Sequence, residues 1–453
     1  MNEEIITRLQ DPDPDERRRA AEELLTAELT EDIIKALASL LEDPDKGVID
    51  AVSFTLAYNG HPKIPYEVVP YVSSPNIIVR NLAGDILLKI GAPAIPAMVD
   101  YIDVGNDDDK KFVIDLLGLM EDTSSIPKIL QVMAENKNDN VILACIEAIG
   151  HLKYPGALNE IIALYHSNEL FKPTCIEALG NIGTDETLGF MLQQYNNEDE
   201  LTKFSIIESL GLVGNEETFF FLLAELRKTE GPLKWPIIES IWKLKERYQL
   251  DIPFDESIKN SILSTLLEAE MKYKIPAAHL IVVFDDKDIL DALIKVFGLD
   301  FELDSIIKPK LIDNARIVFP KIAEILKERP KNTKNLLEFI KEVTDMVGVE
   351  NIRTLTPIEY RNLVDAITTC VDHPNEEARK TTLELLFTLE PDTALLFLDN
   401  FATDDDIWNR MKLLEIIETY DDPRVIQALN ILAQDSDDMI RERAQWLLSQ
   451  KNN

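Results

Sequence analysis

Four carboxylates near the start of the chain have the spacing of a calcium-binding loop. Asp11, Asp13, Asp15 and Glu22 stand where that loop carries its first, third, fifth and twelfth residues. The loop also needs a glycine at its sharp turn, but Glu16 occupies that place and two prolines stiffen the segment. We therefore predict no calcium site, because an ordinary turn before a helix explains the same residues.

Other side chains that bind metals or act as nucleophiles are scattered along the chain. The histidines are His61, His151, His166, His279 and His373. None has a second histidine at metal-ligand spacing, and none is followed by glutamate. Glycine patterns for phosphate or dinucleotide binding and a nucleophile elbow do not occur. The sequence therefore predicts a protein that is not an enzyme and that carries no metal or cofactor.

The charge of the chain restricts its partners. The 453 residues carry a formal net charge of −36, distributed over the whole length without a basic block. The resulting field repels nucleic-acid phosphates and anionic membrane surfaces. No apolar run of about 18 residues occurs, and the first residues are acidic. We predict a cytoplasmic protein that binds a basic or amphipathic protein or peptide, and neither nucleic acid nor membrane.

One pattern returns along the chain. It reads Ile-Leu-Ala-Cys-Ile-Glu-Ala-Ile-Gly at 142–150, and related versions stand at 172–180 and 203–211. Helical patterns that return about every 31 residues are typical of stacked repeats, in which each repeat buries its apolar face against its neighbours. The chain is therefore predicted to be an all-α solenoid.

The repeat can be numbered from an aliphatic residue, position 0. Positions 0, 4, 7, 8 and 11 lie on one face at about 100° per residue, which predicts the buried stripe. Turns rich in Asp, Pro and Asn precede these helices, as at 11–15 and 435–438, and another amphipathic helix completes each hairpin. We call the numbered helix the register helix and the other one the companion helix.

Cysteine occurs twice at one place in the repeat. Cys145 and Cys175 stand at position 4 of adjacent register helices, where other repeats carry Ala83 or Ala444. No Cys-x-x-Cys pair is present. Because free cysteine behaves as a small apolar residue, we predict that both are buried and not a redox pair.

These features together resemble HEAT-repeat proteins, and in particular the short bacterial type known as PBS-lyase HEAT-like. The Asp-Pro turns, the pairs Val79-Arg80 and Ile440-Arg441, and the Ala/Leu/Gly spacing carry the resemblance over roughly residues 5–250 and 372–450. It implies a right-handed αα-superhelix with the register helices on the concave side. The motif is specific for fold and leaves function open.

The register is interrupted in one part of the chain. HEAT-like repeats are predicted for residues 1–250 and 372–453, whereas 251–371 do not fit a whole number of repeats. Helical segments separated by turn signals still fill this stretch. We predict a divergent helical segment of about four pairs that continues the solenoid. The alternative is an inserted helical module with its own role.

Two columns are predicted on the face opposite the buried stripe. Position 6 is acidic in nine of eleven repeats, and position 2 is apolar in four successive repeats. The central residues of the acidic column are Glu147, Glu177, Glu208 and Glu239, and those of the apolar column are Leu143, Pro173, Phe204 and Trp235. Side by side, the columns form a groove for a basic amphipathic helix or an Arg/Lys-rich segment.

Each column also has a purely structural interpretation. Glutamate is a common residue at solvated helix positions, and the apolar side chains of position 2 could turn into the seam between repeats. Position 1 is basic in nine of eleven repeats, including Arg17, Arg379 and Arg410. We interpret those cations as structural partners of aspartates in the same turn or in an adjacent repeat.

The sequence thus predicts a non-catalytic scaffold that holds a partner protein along its concave face. The predicted contact residues are Leu143, Phe204, Trp235, Glu147, Glu177, Glu208 and Glu239. Two alternatives remain open. The resemblance allows a lyase-like or chaperone-like auxiliary of a cofactor-bearing protein, similar to phycobilin lyases. The divergent segment 251–371 allows a signalling adaptor that docks through that segment.

Overall fold

The computed structural model describes residues 2–253 and 255–451, and these ranges contain helices and turns but no β-strand. The helices of the first half are α1 (Asn2–Leu9), α2 (Pro14–Glu23), α3 (Glu31–Ser39), α4 (Lys46–Tyr58), α5 (Ile64–Val68), α6 (Ile77–Ile90), α7 (Ile95–Ile102), α8 (Asp107–Leu119), α9 (Ile126–Glu135), α10 (Asp139–His151), α11 (Leu158–Ser167), α12 (Lys172–Ile182), α13 (Asp185–Gln194), α14 (Glu200–Val213), α15 (Glu216–Leu226) and α16 (Lys234–Tyr248). The others are α17 (Glu256–Glu268), α18 (Met271–Ile281), α19 (Lys287–Val296), α20 (Phe301–Asp313), α21 (Ala315–Leu326), α22 (Thr333–Val347), α23 (Val349–Ile352), α24 (Pro357–Thr368), α25 (Glu376–Leu389), α26 (Pro391–Ala394), α27 (Leu398–Ala402), α28 (Ile407–Ile417), α29 (Pro423–Leu432) and α30 (Asp438–Lys451). The predicted all-α architecture is confirmed.

The chain divides into two compact units. The first comprises Met1–Leu222 with Lys243–Leu250, and the second comprises Leu223–Trp242 with Asp251–Asn453. In the first unit the register helices α2, α4, α6, α8, α10, α12 and α14 each contact the next one. The companion helices α1, α3, α5 and α7 contact one another in the same order. The unit is therefore built from two layers of helices, with the apolar core between them.

The second unit contains helical pairs of the same kind. In the divergent segment α17 packs with α18, α19 with α20, and α21 with α22, and α24 then pairs with α25. The pairs α27 with α28 and α29 with α30 follow. Each pair buries apolar residues such as Ile262, Leu293, Ile322 and Leu363. The loss of sequence register therefore does not end the pairing of helices.

The acidic turns begin the register helices through their side chains. The Asp45 carboxylate accepts a hydrogen bond from the N–H of Val48 at 3.1 Å, and the Asp406 carboxylate accepts one from Asn409 at 2.9 Å. In the turn that resembled a calcium loop, Asp11 and Asp13 accept bonds from the backbone within the turn, and Pro14 occupies the first residue of α2. These carboxylates therefore stabilise helix starts.

Glycine at position 9 allows adjacent register helices to come close together. A Cβ atom on Gly150 would lie 2.7 Å from the Cα of Ala178, and one on Gly118 would lie 2.9 Å from the Cα of Ala148. A Cβ on Gly180 would meet the Ser209 hydroxyl at 2.6 Å. Each glycine thus faces position 7 of the next register helix, where only a small residue fits. Glycine recurs at position 9 because the neighbouring helices pack this closely.

Arginine at position 1 joins neighbouring repeats. Each of three arginines donates two hydrogen bonds to an aspartate in the next acidic turn: Arg17 to Asp43 at 2.8 and 2.8 Å, Arg379 to Asp404 at 2.7 and 2.8 Å, and Arg410 to Asp435 at 2.7 and 3.0 Å. Each also donates to a backbone carbonyl six residues earlier in its own turn. The structural interpretation of position 1 is confirmed for these residues, and we call each contact an arginine clamp.

Within the described ranges, no single helix is both long and apolar enough to span a membrane. The helices at Ile77–Ile90 and Ala92–Ile102 reach that length and composition only together, and they meet at a bend of 118°. Both contribute side chains to the core of the first unit, among them Leu87 and Met98.

Candidate partner-binding surface

The predicted surface of the first unit lies on α10, α12 and α14. At position 6, Glu147 and Glu177 are exposed and Glu208 is partly exposed. At position 2, Leu143 and Phe204 are half-buried, as is the intervening Pro173. The two columns therefore share the solvent-facing side of these helices. Each apolar side chain of position 2 is partly exposed to solvent and partly packed against the protein.

Two exposed leucines extend the apolar column, and neither was among the contact residues predicted from the sequence. Leu170 and Leu201 stand one residue before position 0 and are 56% and 64% exposed. On α14, Leu201 precedes position 6 by seven residues, about two helical turns, so it lies on the side of the glutamates. Leu170 lies in the short turn before α12. The helical angle predicts the side on which Leu201 lies, whereas the exposure of Leu170 does not follow from it.

Packing within the first unit positions this surface. Because position 9 is glycine in α10 and α12, neighbouring register helices approach closely and present equivalent positions side by side. The C-terminal end of α14 is held by Arg247, which donates to the Gly211 carbonyl at 3.1 Å, and by the Tyr248 hydroxyl, which donates to the Gly214 carbonyl at 3.1 Å. The surface is thus carried by a rigid layer of helices.

At the centre of the acidic column, neighbouring carboxylates repel one another. Among the described residues, no cation lies within ion-pair distance of Glu147 or Glu177, whereas Asp115 in the preceding repeat binds Lys111 at 2.7 Å. The pKa of Glu147 is raised by partial burial and by the carboxylates of Asp115 and Glu177 in the adjacent repeats. A cation brought by a partner would relieve this repulsion.

This repulsion predicts a measurable shift in the Glu147 titration. In an Asp115→Asn variant, we expect the pKa of Glu147 to fall toward the ordinary glutamate value, because one neighbouring negative charge is gone. The carboxyl carbon of Glu147, followed by NMR against pH, measures the change. As a control, Asp85→Asn removes an exposed position 6 carboxylate from α6, further along the column, and should leave the titration nearly unchanged. Equal effects of the two variants would contradict the coupling.

Trp235 and Glu239 lie in the second unit and have partners there. The Trp235 ring is half-buried, with its centroid 5.8 Å from that of Tyr273 on α18. The Glu239 carboxylate lies 3.7 Å from the ammonium of Lys272, and its side chain is 12% exposed. The side chains of Trp235 and Glu239 therefore contact α18, which leaves less of their surface open than at Glu147 or Leu201.

The cysteines contribute nothing reactive to the surface. Cys145 and Cys175 are free and fully buried, and burial raises the pKa of each thiol to about 12. The prediction that they are small buried residues is confirmed. In the part of the chain that the structure describes, no group of three histidine, cysteine or acidic side chains is arranged to hold a metal ion. The chemistry available on the exposed side of α10, α12 and α14 is apolar contact and attraction of cations.

No protein-family model matches this chain, and no curated protein matches it. Solved structures with a similar arrangement include the karyopherin Kap121p bound to the extreme C-terminus of the protein phosphatase Cdc14p, at 11% identity and a TM-score of 0.43 over 96% of this chain and 58% of that chain. Importin beta is similar at 10% identity and a TM-score of 0.44, over 99% of this chain and 76% of that chain. Kap121p alone is similar at 12% identity and a TM-score of 0.41, over 96% of this chain and 62% of that chain. This chain spans less than two thirds of either Kap121p chain, and likenesses at this level do not identify a function.

Proposed function

We propose that this protein is a non-catalytic scaffold that binds a basic, amphipathic segment of a partner protein on the exposed side of α10, α12 and α14. One observation carries the proposal: Leu170 and Leu201 are 56% and 64% exposed, and the exposed carboxylates Glu147 and Glu177 of the same three repeats have no ion-pair partner among the described residues. Apolar and acidic side chains on neighbouring helices match a helix or strand with one apolar and one basic edge.

Each part of the surface has a separate role in the proposed complex. Apolar side chains of the partner cover Leu170, Leu201 and the exposed part of Phe204, which removes apolar surface from water. Lysine or arginine side chains of the partner lie against Glu147 and Glu177. The net charge of −36 accelerates the approach of a basic partner, and added salt weakens that effect.

The finer assignment of the repeats belongs to the same proposal. We place them in the bacterial PBS-lyase HEAT-like type on the basis of the Asp-Pro turns and the Val79-Arg80 and Ile440-Arg441 pairs. A lyase-like or chaperone-like auxiliary function rests on that resemblance alone, and buried cysteines of raised pKa offer no group for attaching a cofactor.

Removal of the exposed leucines tests the apolar part of the surface. We expect the double variant Leu170→Ala with Leu201→Ala to lose most of a partner that wild type retains from native lysate at low salt, measured by affinity purification and quantitative mass spectrometry. Both side chains are largely exposed, so the variant should melt as wild type does. Val104→Ala is the matched control, because Val104 is 76% exposed in a turn away from α10, α12 and α14.

The charge part of the surface is tested in the same purification. Glu147→Gln with Glu177→Gln should release the partner at a lower salt concentration than wild type does, since two attractive charges are removed without a change of shape. A partner that remains bound to both double variants and at high salt would show that this surface is not the binding site.

A further inference from the structure

The second unit contains a groove on the helices α20, α22 and α25, which belong to the divergent segment and to the repeat that follows it. One hollow of about 620 Å³ lies between α22 and α25, and another of about 290 Å³ lies between α20 and α22. Glu338 and Glu342 line both hollows, so the two are neighbours on α22. The size of the smaller one suits a single large side chain, and the larger one suits a short stretch of chain.

The smaller hollow is apolar at its inner wall. Phe297 and Phe339 line it, are 5% and 1% exposed, and have ring centroids 5.4 Å apart. Phe301, the first residue of α20, stands at its rim and is 90% exposed. A phenylalanine that is almost fully solvated next to an open apolar hollow gains contact area when another apolar side chain enters between it and the inner wall.

The charges around the groove define the occupant. Six carboxylates and three lysines line the two hollows. The lysines already have acidic partners: Lys308 contacts Glu342, Lys341 lies 3.5 Å from Asp345 and 3.4 Å from Glu384, and Lys380 lies 3.6 Å from Glu377. An anionic ligand would therefore meet excess negative charge and cations that are already paired. A cationic ligand would meet three more carboxylates than lysines, and apart from Lys308–Glu342 the ion pairs of these lysines are 3.4–3.6 Å long.

We infer that this groove is a second binding surface, which takes a basic peptide segment that carries one large apolar side chain. The apolar side chain enters the hollow lined by Phe297, Phe301 and Phe339. Lysine or arginine side chains of the same segment lie along Glu338, Glu342 and Glu377. The groove belongs to the second unit and does not depend on the surface of α10, α12 and α14, so either surface can be present without the other.

Fluorescence anisotropy with synthetic peptides and the full chain tests this inference. The probe is a labelled peptide with one phenylalanine among lysines, and the comparison peptides replace that phenylalanine with serine or the lysines with glutamates. We expect wild type to bind the probe, about tenfold weaker binding of the serine peptide and no binding of the glutamate peptide. Phe301→Ala should weaken probe binding about tenfold. Glu338→Gln with Glu342→Gln should weaken it at low salt and make it less sensitive to added salt than in wild type, because two attractive charges are gone.

Matched variants keep the test decisive. Leu396→Ala removes an apolar side chain that is 70% exposed outside the groove. Glu324→Gln with Glu328→Gln removes two exposed charges, one on α21 and one in the turn that follows it. Both should bind the probe within twofold of wild type, as should Leu170→Ala with Leu201→Ala. Equal binding of the probe by wild type and Phe301→Ala, equal binding of the phenylalanine and serine peptides, or no binding at millimolar peptide would overturn the inference. If only the Leu170/Leu201 variant loses the probe, the peptide binds the first surface instead.

Discussion

Asp404→Ala is expected to lower the free energy of unfolding of the second unit by about 3–5 kcal/mol. The Asp404 side chain is 3% exposed and accepts hydrogen bonds from Arg379 at 2.7 and 2.8 Å. It also accepts one from the Asn409 amide at 3.3 Å. Burial alone would raise the pKa of Asp404, but the bonds from Arg379 and from the Asp406 N–H hold it below its ordinary value. The variant leaves a largely buried guanidinium with only the exposed Asp405 carboxylate and the carbonyls of its own turn as partners.

Chemical denaturation followed by circular dichroism measures this effect. The control is Glu350→Ala, because the Arg353–Glu350 pair is 3.5 Å long and its side chains are 50% and 88% exposed. That change should cost less than about 1 kcal/mol. Replacing both members of the clamp, as Arg379→Met with Asp404→Leu, should restore much of the stability, because no buried charge is then left alone. A loss in Asp404→Ala as small as in Glu350→Ala would show that the arginine clamp does not hold neighbouring repeats together.

The second large effect is expected at position 9. Gly150→Ala should destabilise the first unit by about 1–3 kcal/mol, although alanine favours helices more than glycine does. The added Cβ would lie 2.7 Å from the Cα of Ala178 and 2.9 Å from its Cβ. Because one of these atoms belongs to the backbone, relief requires α10 and α12 to move apart. The contacts of the whole helix pair are then weakened.

Gly189→Ala is the control, and it should have the opposite sign. Gly189 lies within α13, is exposed, and would have no neighbour within 4 Å of an added Cβ. Alanine there should stabilise the helix by about 0.5–1 kcal/mol. Thermal and denaturant unfolding of the two variants and wild type gives both values. Equal shifts in the same direction would mean that helix propensity, and not the approach of α10 and α12, decides the outcome at Gly150.

The repeat period and the helical angle were sufficient to predict which sides of the register helices are buried. Cys145 and Cys175 are buried at position 4, and Glu147 and Glu177 are exposed at position 6, as the angle requires. The same reasoning identified the arginines of position 1 as structural. These features are predictable because they depend on spacing within one helix and on a repeat of nearly constant length.

The candidate surfaces were harder to predict, because they depend on neighbours that the spacing does not specify. Leu143 and Phe204 are half-buried, since the depth of a position 2 side chain depends on how closely the next helix approaches. Leu170 lies outside α12, in the short turn before it, where the exposure of a residue does not follow from helical periodicity. The groove beside Phe301 is formed by α25 and by two helices, α20 and α22, whose register the sequence does not reveal, so its hollows follow only from the packing of these helices.

The arginine clamps and the other side-chain bonds between repeats have a consequence for how the chain folds. They join residues that are close in sequence, from 25 positions apart for Arg379 and Asp404 to 43 for Arg329 and Asp372. Each new repeat therefore closes a loop of similar length and at similar entropic cost, wherever it stands in the array. Because contacts of this short range favour rapid folding, structure can grow by successive addition while the chain is still being synthesised. A nascent chain needs to emerge by only about one more repeat before its last interface can form.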